Sequence, residues 1–159
     1  SVIFKPSCFN DHRGSIYSAY TTDAFKDYFP NDIKFVHDKF VKSHKNVLRG
    51  LHGDDKTWKL VSCVYGEVFQ VIVDCRTNSK TYMKSDSLII NNENKKMLLV
   101  PPGFANGFYV MSEIAVYYYK LAYKGAYNDF QDQFTLKWND DRINLTWPTD
   151  NPILSSRDS

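Results

Sequence analysis

Glycine is scarce in this chain: seven residues in 159. No glycine-rich phosphate loop can be found among them. Histidine is scarcer still, with His12, His37, His44 and His52 and none beyond. Metal-binding barrels usually pair an H-x-H with a later Glu and His, so this ligand supply argues against a catalytic metal. Cysteine occurs three times, as Cys8, Cys63 and Cys75, with no C-x-x-C. That odd number fits neither a disulfide framework nor a zinc site. Reduced thiols in a cytoplasmic protein are expected instead. Charge of one sign is also lacking. The net charge is +2, too small to argue for a nucleic-acid partner. No apolar run approaches the roughly 20 residues of a membrane span. The opening SVIFKPSCFN has neither a basic segment nor a long apolar one, so no secretory signal is expected in it.

Aromatic residues, in contrast, are abundant: eleven Tyr and eleven Phe. Such a composition suits β-structure. One segment reads as helix, residues 21–29, with Thr22 or Asp23 as its cap and Pro30 behind it. The rest reads as short strands with turn signals between them. These strands are expected at 15–20, 33–43, 47–52, 83–90, 95–102, 107–112, 115–123 and 134–140. A hairpin over 59–74 should turn at Tyr65-Gly66. Crossover helices are missing, so a parallel α/β sheet is excluded. The expected fold is all-β: a single jelly-roll barrel or sandwich over 1–159 with one or two short helices.

The stretch NVLRGLHGDD, 46–55, does not read like an ordinary strand. Val47, Leu48 and Leu51 suit a core, but Arg49 and His52 are costly there without partners. Gly50 inside a strand pattern marks a bulge or a close backbone approach. Three further stretches stand out. PPGFANGFYV, 101–110, sets Asn106 among aromatics. VYYYKLAY, 116–123, must turn at least one tyrosine inward. SSRDS, 155–159, holds Arg157 and Asp158. Each alone reads as a turn residue, an aromatic core or a chain end. Cys63 sits inside a strand pattern with nothing to depress its pKa, so a thiol nucleophile is not expected.

Taken together, these segments resemble the dTDP-4-dehydrorhamnose 3,5-epimerase family of RmlC-like cupins. The matching stretches are F-x-D-x-R-G from Phe9 to Gly14, KNVLRGLH at 45–52, and KLV…GEVF…V-x-V-D-x-R at 59–76. They continue with PPGFANGF at 101–108, Tyr119-Lys120, WND at 138–140, and WP…LSSRD at 147–158. The resemblance covers essentially the whole chain. It implies a nucleotide-linked 4-keto-6-deoxy sugar as substrate. The ketone at C4 acidifies the C–H bonds at C3 and C5. A base removes one proton, and an acid on the other face returns one, so no cofactor or metal is needed. By this resemblance His52 is the base, Asp158 its carboxylate partner, Tyr119 the acid, and Lys59 the cation near the ketone. Arg49 helps at the ketone or the diphosphate. Phe9, Arg13 and Arg157 contact the nucleotide or diphosphate, some of them across a homodimer interface built with residues 1–20. Strict alternation would put Arg49 and His52 on opposite faces, so a bulge at Gly50 is expected to re-aim one of them.

The chain departs from the family in ways that bear on substrate. GFANGF puts Asn106 where the family has a second histidine. Gln70 stands where an acid usually follows GEVF. The loop from His52 to Lys59 is shorter and carries Trp58. HDKFV, 37–41, and the stretch after Tyr123 are rewritten. Asn106 and Gln70 remain candidates for holding the sugar. These changes suggest the same reaction on another sugar nucleotide, with a GDP-linked 4-keto-heptose for surface polysaccharide as the expectation. Two other readings are a non-catalytic sugar-nucleotide-binding cupin and a 4-keto sugar ketoisomerase. Retention of an acid–base set argues against the first, and the absence of an HxHK-like run argues against the second.

Overall fold

The computed structural model describes residues 1–159. It is all-β, as the alternating aromatic segments lead one to expect. Twelve strands follow in order: β1 Val2–Phe4, β2 Cys8–Asp11, β3 Gly14–Tyr17, β4 Phe35–His44, β5 Leu48–Gly53, β6 Trp58–Tyr65, β7 Glu67–Asp74, β8 Ser85–Asn91, β9 Met97–Val100, β10 Phe104–Val110, β11 Ile114–Ala122 and β12 Phe134–Thr135. One five-stranded antiparallel sheet runs β1-β9-β6-β11-β4. It faces a second, ordered β12-β5-β10-β7-β8, and β2 and β3 form a separate hairpin. The hairpin over 59–74 does turn at Gly66, whose φ is +80°.

Some expected elements come out shorter. The helix expected over 21–29 is one turn, α1 Thr22–Phe25, capped by Thr21, whose side chain accepts from Ala24 N–H. Phe25 enters a core with Leu60, Met97 and Leu99. The segment is therefore tied down by aromatic packing more than by helix propensity, as short helices must be. The strand expected over 134–140 is only Phe134–Thr135. Beyond it, Leu136 and Ile143 fold over the outer face of the second sheet and pack with Leu51, Val71, Val73 and Ala105. Nothing in the sequence pattern predicts β1 and β2, because three or four residues are too few to show a period.

The main core lies between the sheets and is built from alternate residues of the strands. Tyr117 is fully buried there, stacked on Phe108 with centroids 3.9 Å apart. Tyr119 is two residues on and meets Tyr117 edge-on at 4.8 Å. Of the three consecutive tyrosines, Tyr117 and Tyr119 thus face inward, while Tyr118 faces outward and stacks on exposed Phe40. This is the two-residue period of a strand in its simplest form.

β5 breaks that period. Asn106 and Phe108 of β10 lie two apart and share a face, yet their partners on β5 are His52 and Arg49, three apart. One extra residue is accommodated at Gly50-Leu51, a β-bulge that brings Arg49 and His52 to one side. Gly50 has φ +127°. A Cβ there would lie 2.6 Å from Gly107 Cα and 2.8 Å from the Asn106 carbonyl oxygen. Both the angle and the close strand approach require glycine. Gly14 has a nearly identical φ of +128°, but a Cβ added there would meet open space. Gly14→Ala should therefore report the cost of the angle alone, ~1–2 kcal/mol. Gly50→Ala should cost at least ~2 kcal/mol more, since backbone must shift. Equal losses in urea unfolding would mean that the β5–β10 contact does not demand glycine.

Candidate active site

The open end of the barrel holds a cavity of about 450 Å³. His52, Lys59, Tyr119, Asn106, Arg49, Arg157 and Asp158 all line it. These come from β5, β6, β11, β10 and the chain end. Their convergence is a property of the fold rather than of spacing in sequence.

His52 and Asp158 are 106 residues apart and joined by a 2.5 Å contact from Nε2 to Oδ1. The second carboxylate oxygen accepts the Gly50 N–H at 3.3 Å. That N–H is turned out of the β5–β10 ladder by the bulge. The C-terminal segment is itself pinned to β5. Leu48 N donates to the Ile153 carbonyl at 3.0 Å, and Ile153 N donates to that of Asn46 at 2.8 Å. Burial opposes charge on Asp158, but the His52 hydrogen bond, the His52 charge, the Gly50 N–H and Arg157 outweigh it. Its pKa is held below the usual carboxylate value. Asp158 is thus an anion at neutral pH. A neutral His52 donates Nε2–H to it, leaving the Nδ1 lone pair as the base.

Across the cavity, burial raises the pKa of Tyr119 well above that of an ordinary phenol, and the positive charge of Arg49 only partly offsets this. Tyr119 is therefore a protonated donor at neutral pH. The cation acting on it is Arg49. Arg49 is held in turn by Ser43, its Nε donating to Oγ at 2.8 Å. Lys59 faces inward from β6 in the same row as Val61 and Cys63. Burial pushes its ammonium down to about 8, and the Asp54 charge partly restores it.

Gln70, Phe9 and Arg13 do not line this chain's own cavity. Gln70 is fully buried behind the cavity, not in it. Its Nε2 donates to Asn106 Oδ1 at 2.6 Å, and its Oε1 accepts from the Tyr117 hydroxyl. Gln70 can reach a ligand only through Asn106. Phe9 and Arg13 lie on the β2–β3 hairpin, away from this cavity; Phe9 is 73% exposed and Arg13 pairs with Asp11. Trp58 also turns outward and packs near Phe29 at 6.1 Å.

Other lining residues escape the sequence reading. Lys39 is one, its Nζ donating to the Tyr127 hydroxyl at 3.1 Å. A signal for it exists: Lys39 occupies an inward position in β4, between His37 and Val41. Asp54 and Thr57 also line the wall. Tyr127, Phe130 and Gln133 enter from an irregular stretch that carries no period to read.

The family model described as dTDP-4-dehydrorhamnose 3,5-epimerase matches residues 1–159. The chain belongs to this family. It is 41% identical to the dTDP-4-dehydrorhamnose 3,5-epimerase of Shigella flexneri over 99% of this chain and 87% of that protein. It is 40% identical to that of Escherichia coli K12, over 99% and 85%. Among solved structures, dTDP-6-deoxy-D-glucose-3,5-epimerase RmlC of Legionella pneumophila, in complex with dTDP-4-keto-L-rhamnose, aligns with TM-score 0.90 and 35% identity. That alignment covers 98% of this chain and 83% of the other. The barrel is therefore the RmlC-like cupin jelly roll.

Within this RmlC-like site the Lys59 shift has a direct readout. With a folded pKa of about 8 against 10.5 for a free side chain, protonated Lys59 opposes folding. The cost is full below pH about 8 and fades as pH rises toward 10.5, because only the unfolded chain then holds the proton. In NMR of protein carrying ¹³C-labelled lysine, the signal lost in Lys59→Met should titrate near 8. Titration near 10.5 would mean that the ammonium is not desolvated.

Proposed function

We propose that the chain epimerises a nucleotide-linked 4-keto-6-deoxy sugar at C3, C5 or both. The observation that carries this reading is the His52–Asp158 pair facing protonated Tyr119 across one cavity. His52 Nδ1 takes the proton from the carbon beside the ketone. Asp158 stabilises the imidazolium so formed. Lys59 and Arg49 offset charge on the enolate oxygen. Tyr119 returns a proton from the opposite face, inverting the centre. A binding module would need no such acid–base set, and a ketoisomerase has no motif in its favour here.

The relatives named above act, by their names, on dTDP sugars, and dTDP is the nucleotide we adopt. The GDP-linked heptose expected from this chain's departures from the family pattern draws no support from them. The two amides form a neutral hydrogen-bonded unit with Tyr117, which supports a role in holding the sugar rather than in relaying protons. A cytoplasmic setting fits three free thiols.

A homodimer belongs to the same proposal. Phe9 and Ile16 are cross-strand partners on the β2–β3 hairpin, and both are more than 70% exposed. A protruding apolar pair is poorly accounted for in an isolated chain. Packed on a second copy, it would carry Phe9 and Arg13 toward that copy's cavity. Sedimentation at micromolar concentration should give a dimer, and Phe9→Asp with Ile16→Asp should give monomers. A wild-type monomer would overturn this.

The chemistry is tested in D2O with dTDP-linked 4-keto-6-deoxyglucose. His52→Asn should abolish deuterium uptake, a loss of about 10³-fold or more. Asp158→Asn should lose less, because it removes only the partner that orients and stabilises the imidazole. Tyr119→Phe should still take up deuterium, but without inversion, since the enolate is reprotonated on the face it left. Uptake by His52→Asn near the wild-type rate would remove His52 from the role of base. Normal inversion by Tyr119→Phe would place the acid elsewhere.

A further inference from the structure

Two buried side-chain polar atoms have no hydrogen-bond partner: Asp54 Oδ2 and Thr57 Oγ1. Both residues line the cavity, and both are nearly inaccessible, at 5% and 3% exposure. A buried carboxylate oxygen and hydroxyl left unpaired are costly. Their placement on the wall of one cavity suits a ligand that can both donate and accept. Asp54 is not free to move out of it. Its other oxygen, Oδ1, accepts Lys56 N–H at 2.9 Å and Thr57 N–H at 2.7 Å. Its carbonyl accepts Gly103 N–H at 2.8 Å. One side of the carboxylate builds the β5–β6 turn, and the other, Oδ2, is buried at the edge of the cavity without a protein partner.

Lys59 lines the same wall, with Asp54 as the negative charge acting on it. Its one protein contact is long, 3.5 Å to the His52 carbonyl. The wall thus offers an acceptor at Asp54, a hydroxyl at Thr57 and an ammonium with donors to spare. A hydroxyl beside a ketone matches this set, with the hydroxyl to Asp54 and Thr57 and the ketone to Lys59. In a 4-keto-6-deoxy sugar only C3 carries a hydroxyl next to the ketone. C5 carries the methyl group and the ring oxygen.

The geometry points to Asp54 and Thr57 as a subsite that takes the C3 hydroxyl of the sugar and so selects substrates bearing it. This rests on the epimerase reading above and on Lys59 meeting the ketone. The hydroxyl donates to Asp54 Oδ2 and accepts from Thr57 Oγ–H. A sugar lacking it leaves both atoms unpaired in the complex, which is the strongest ground a site has for rejecting an analogue.

The test uses dTDP-linked 4-keto-6-deoxyglucose and its 3-deoxy analogue, with kcat/KM for deuterium exchange at C5 as the readout. Asp54→Asn keeps the Oδ1 acceptor that builds the turn, so the loop is retained. It turns Oδ2 from an acceptor into a donor. Thr57→Val removes the hydroxyl at equal size. Wild type should prefer the 3-hydroxy sugar by about ten- to hundredfold. Asp54→Asn withdraws its charge from Lys59 and so should slow both sugars, but the 3-hydroxy sugar should lose about that factor more than the 3-deoxy analogue, which collapses the preference. Thr57→Val should do the same to a smaller extent. Affinity for dTDP alone should stay unchanged in both. Equal losses on the two sugars would make Asp54 a residue of the turn only, and no loss on either would leave the subsite without a role; both outcomes overturn it. If wild type exchanges neither sugar, the epimerase reading falls and the subsite with it. If wild type exchanges both and prefers neither, the subsite alone falls.

Discussion

The hydrogen bond between His52 and Asp158 is the contact on which the rest of the site depends. It joins a strand near the front of the chain to its last residues. Asp158 is nearly buried and His52 about one-fifth exposed, so the contact is largely shielded from water. The barrel achieves this by placing His52 on the inner face of β5 and laying the C-terminal segment along that strand's other side. Gly50 makes it possible twice over. Its bulge turns His52 to the face that Arg49 shares, and its freed N–H holds the second oxygen of Asp158. One glycine therefore turns the base and, after His52 itself, helps keep its partner charged.

The opposite wall is governed by desolvation. Tyr119 and Lys59 occupy inward positions in adjacent strands, where burial raises the one pKa and lowers the other. Both shifts favour the neutral form, as loss of water must. The phenol thus stays a proton donor, while the ammonium is left near the point where it can lose its charge. Behind them, Tyr117, Gln70 and Asn106 satisfy one another without any ionisable pair. A buried network that carries no formal charge holds a fixed shape and does not titrate near neutral pH. In this chain charged side chains line the cavity from both sheets, and the neutral amides beside His52 shape its wall.

Much of the architecture was legible because strands expose their period. The strand over 115–123 could be read from its pattern, with at least one of its tyrosines turned inward, and the Tyr65-Gly66 turn could be read from the residues that flank it. Gly50 was legible as an anomaly, since a glycine between leucines in a strand calls for a bulge. The site residues His52, Tyr119 and Asp158 were named through likeness to a family, and the fold brings those three to one cavity. What failed to read did so for physical reasons. The segment 21–29 had the composition of a helix, but its aromatic side chains are taken by the core around Leu60 and Leu99. Gln70 stood at a position expected to touch ligand, and its strand turns it inward behind Asn106 instead.

The sequence by itself determined that the chain is β-rich, where its strands alternate, that Gly50 is exceptional, and which residue types could serve as base and acid. These are local properties, set by side-chain period and backbone freedom within a few residues. Only the tertiary structure decided that Arg49 and His52 share a face, that Asp158 arrives beside His52, and that Lys39 and Tyr127 close one side of the cavity. It alone decided that Asp54 keeps one carboxylate oxygen for its own turn and leaves the other unpaired. Those outcomes depend on which strands become neighbours and how much water is excluded between them. Burial and the partners of a charge are long-range quantities, and a linear pattern does not contain them.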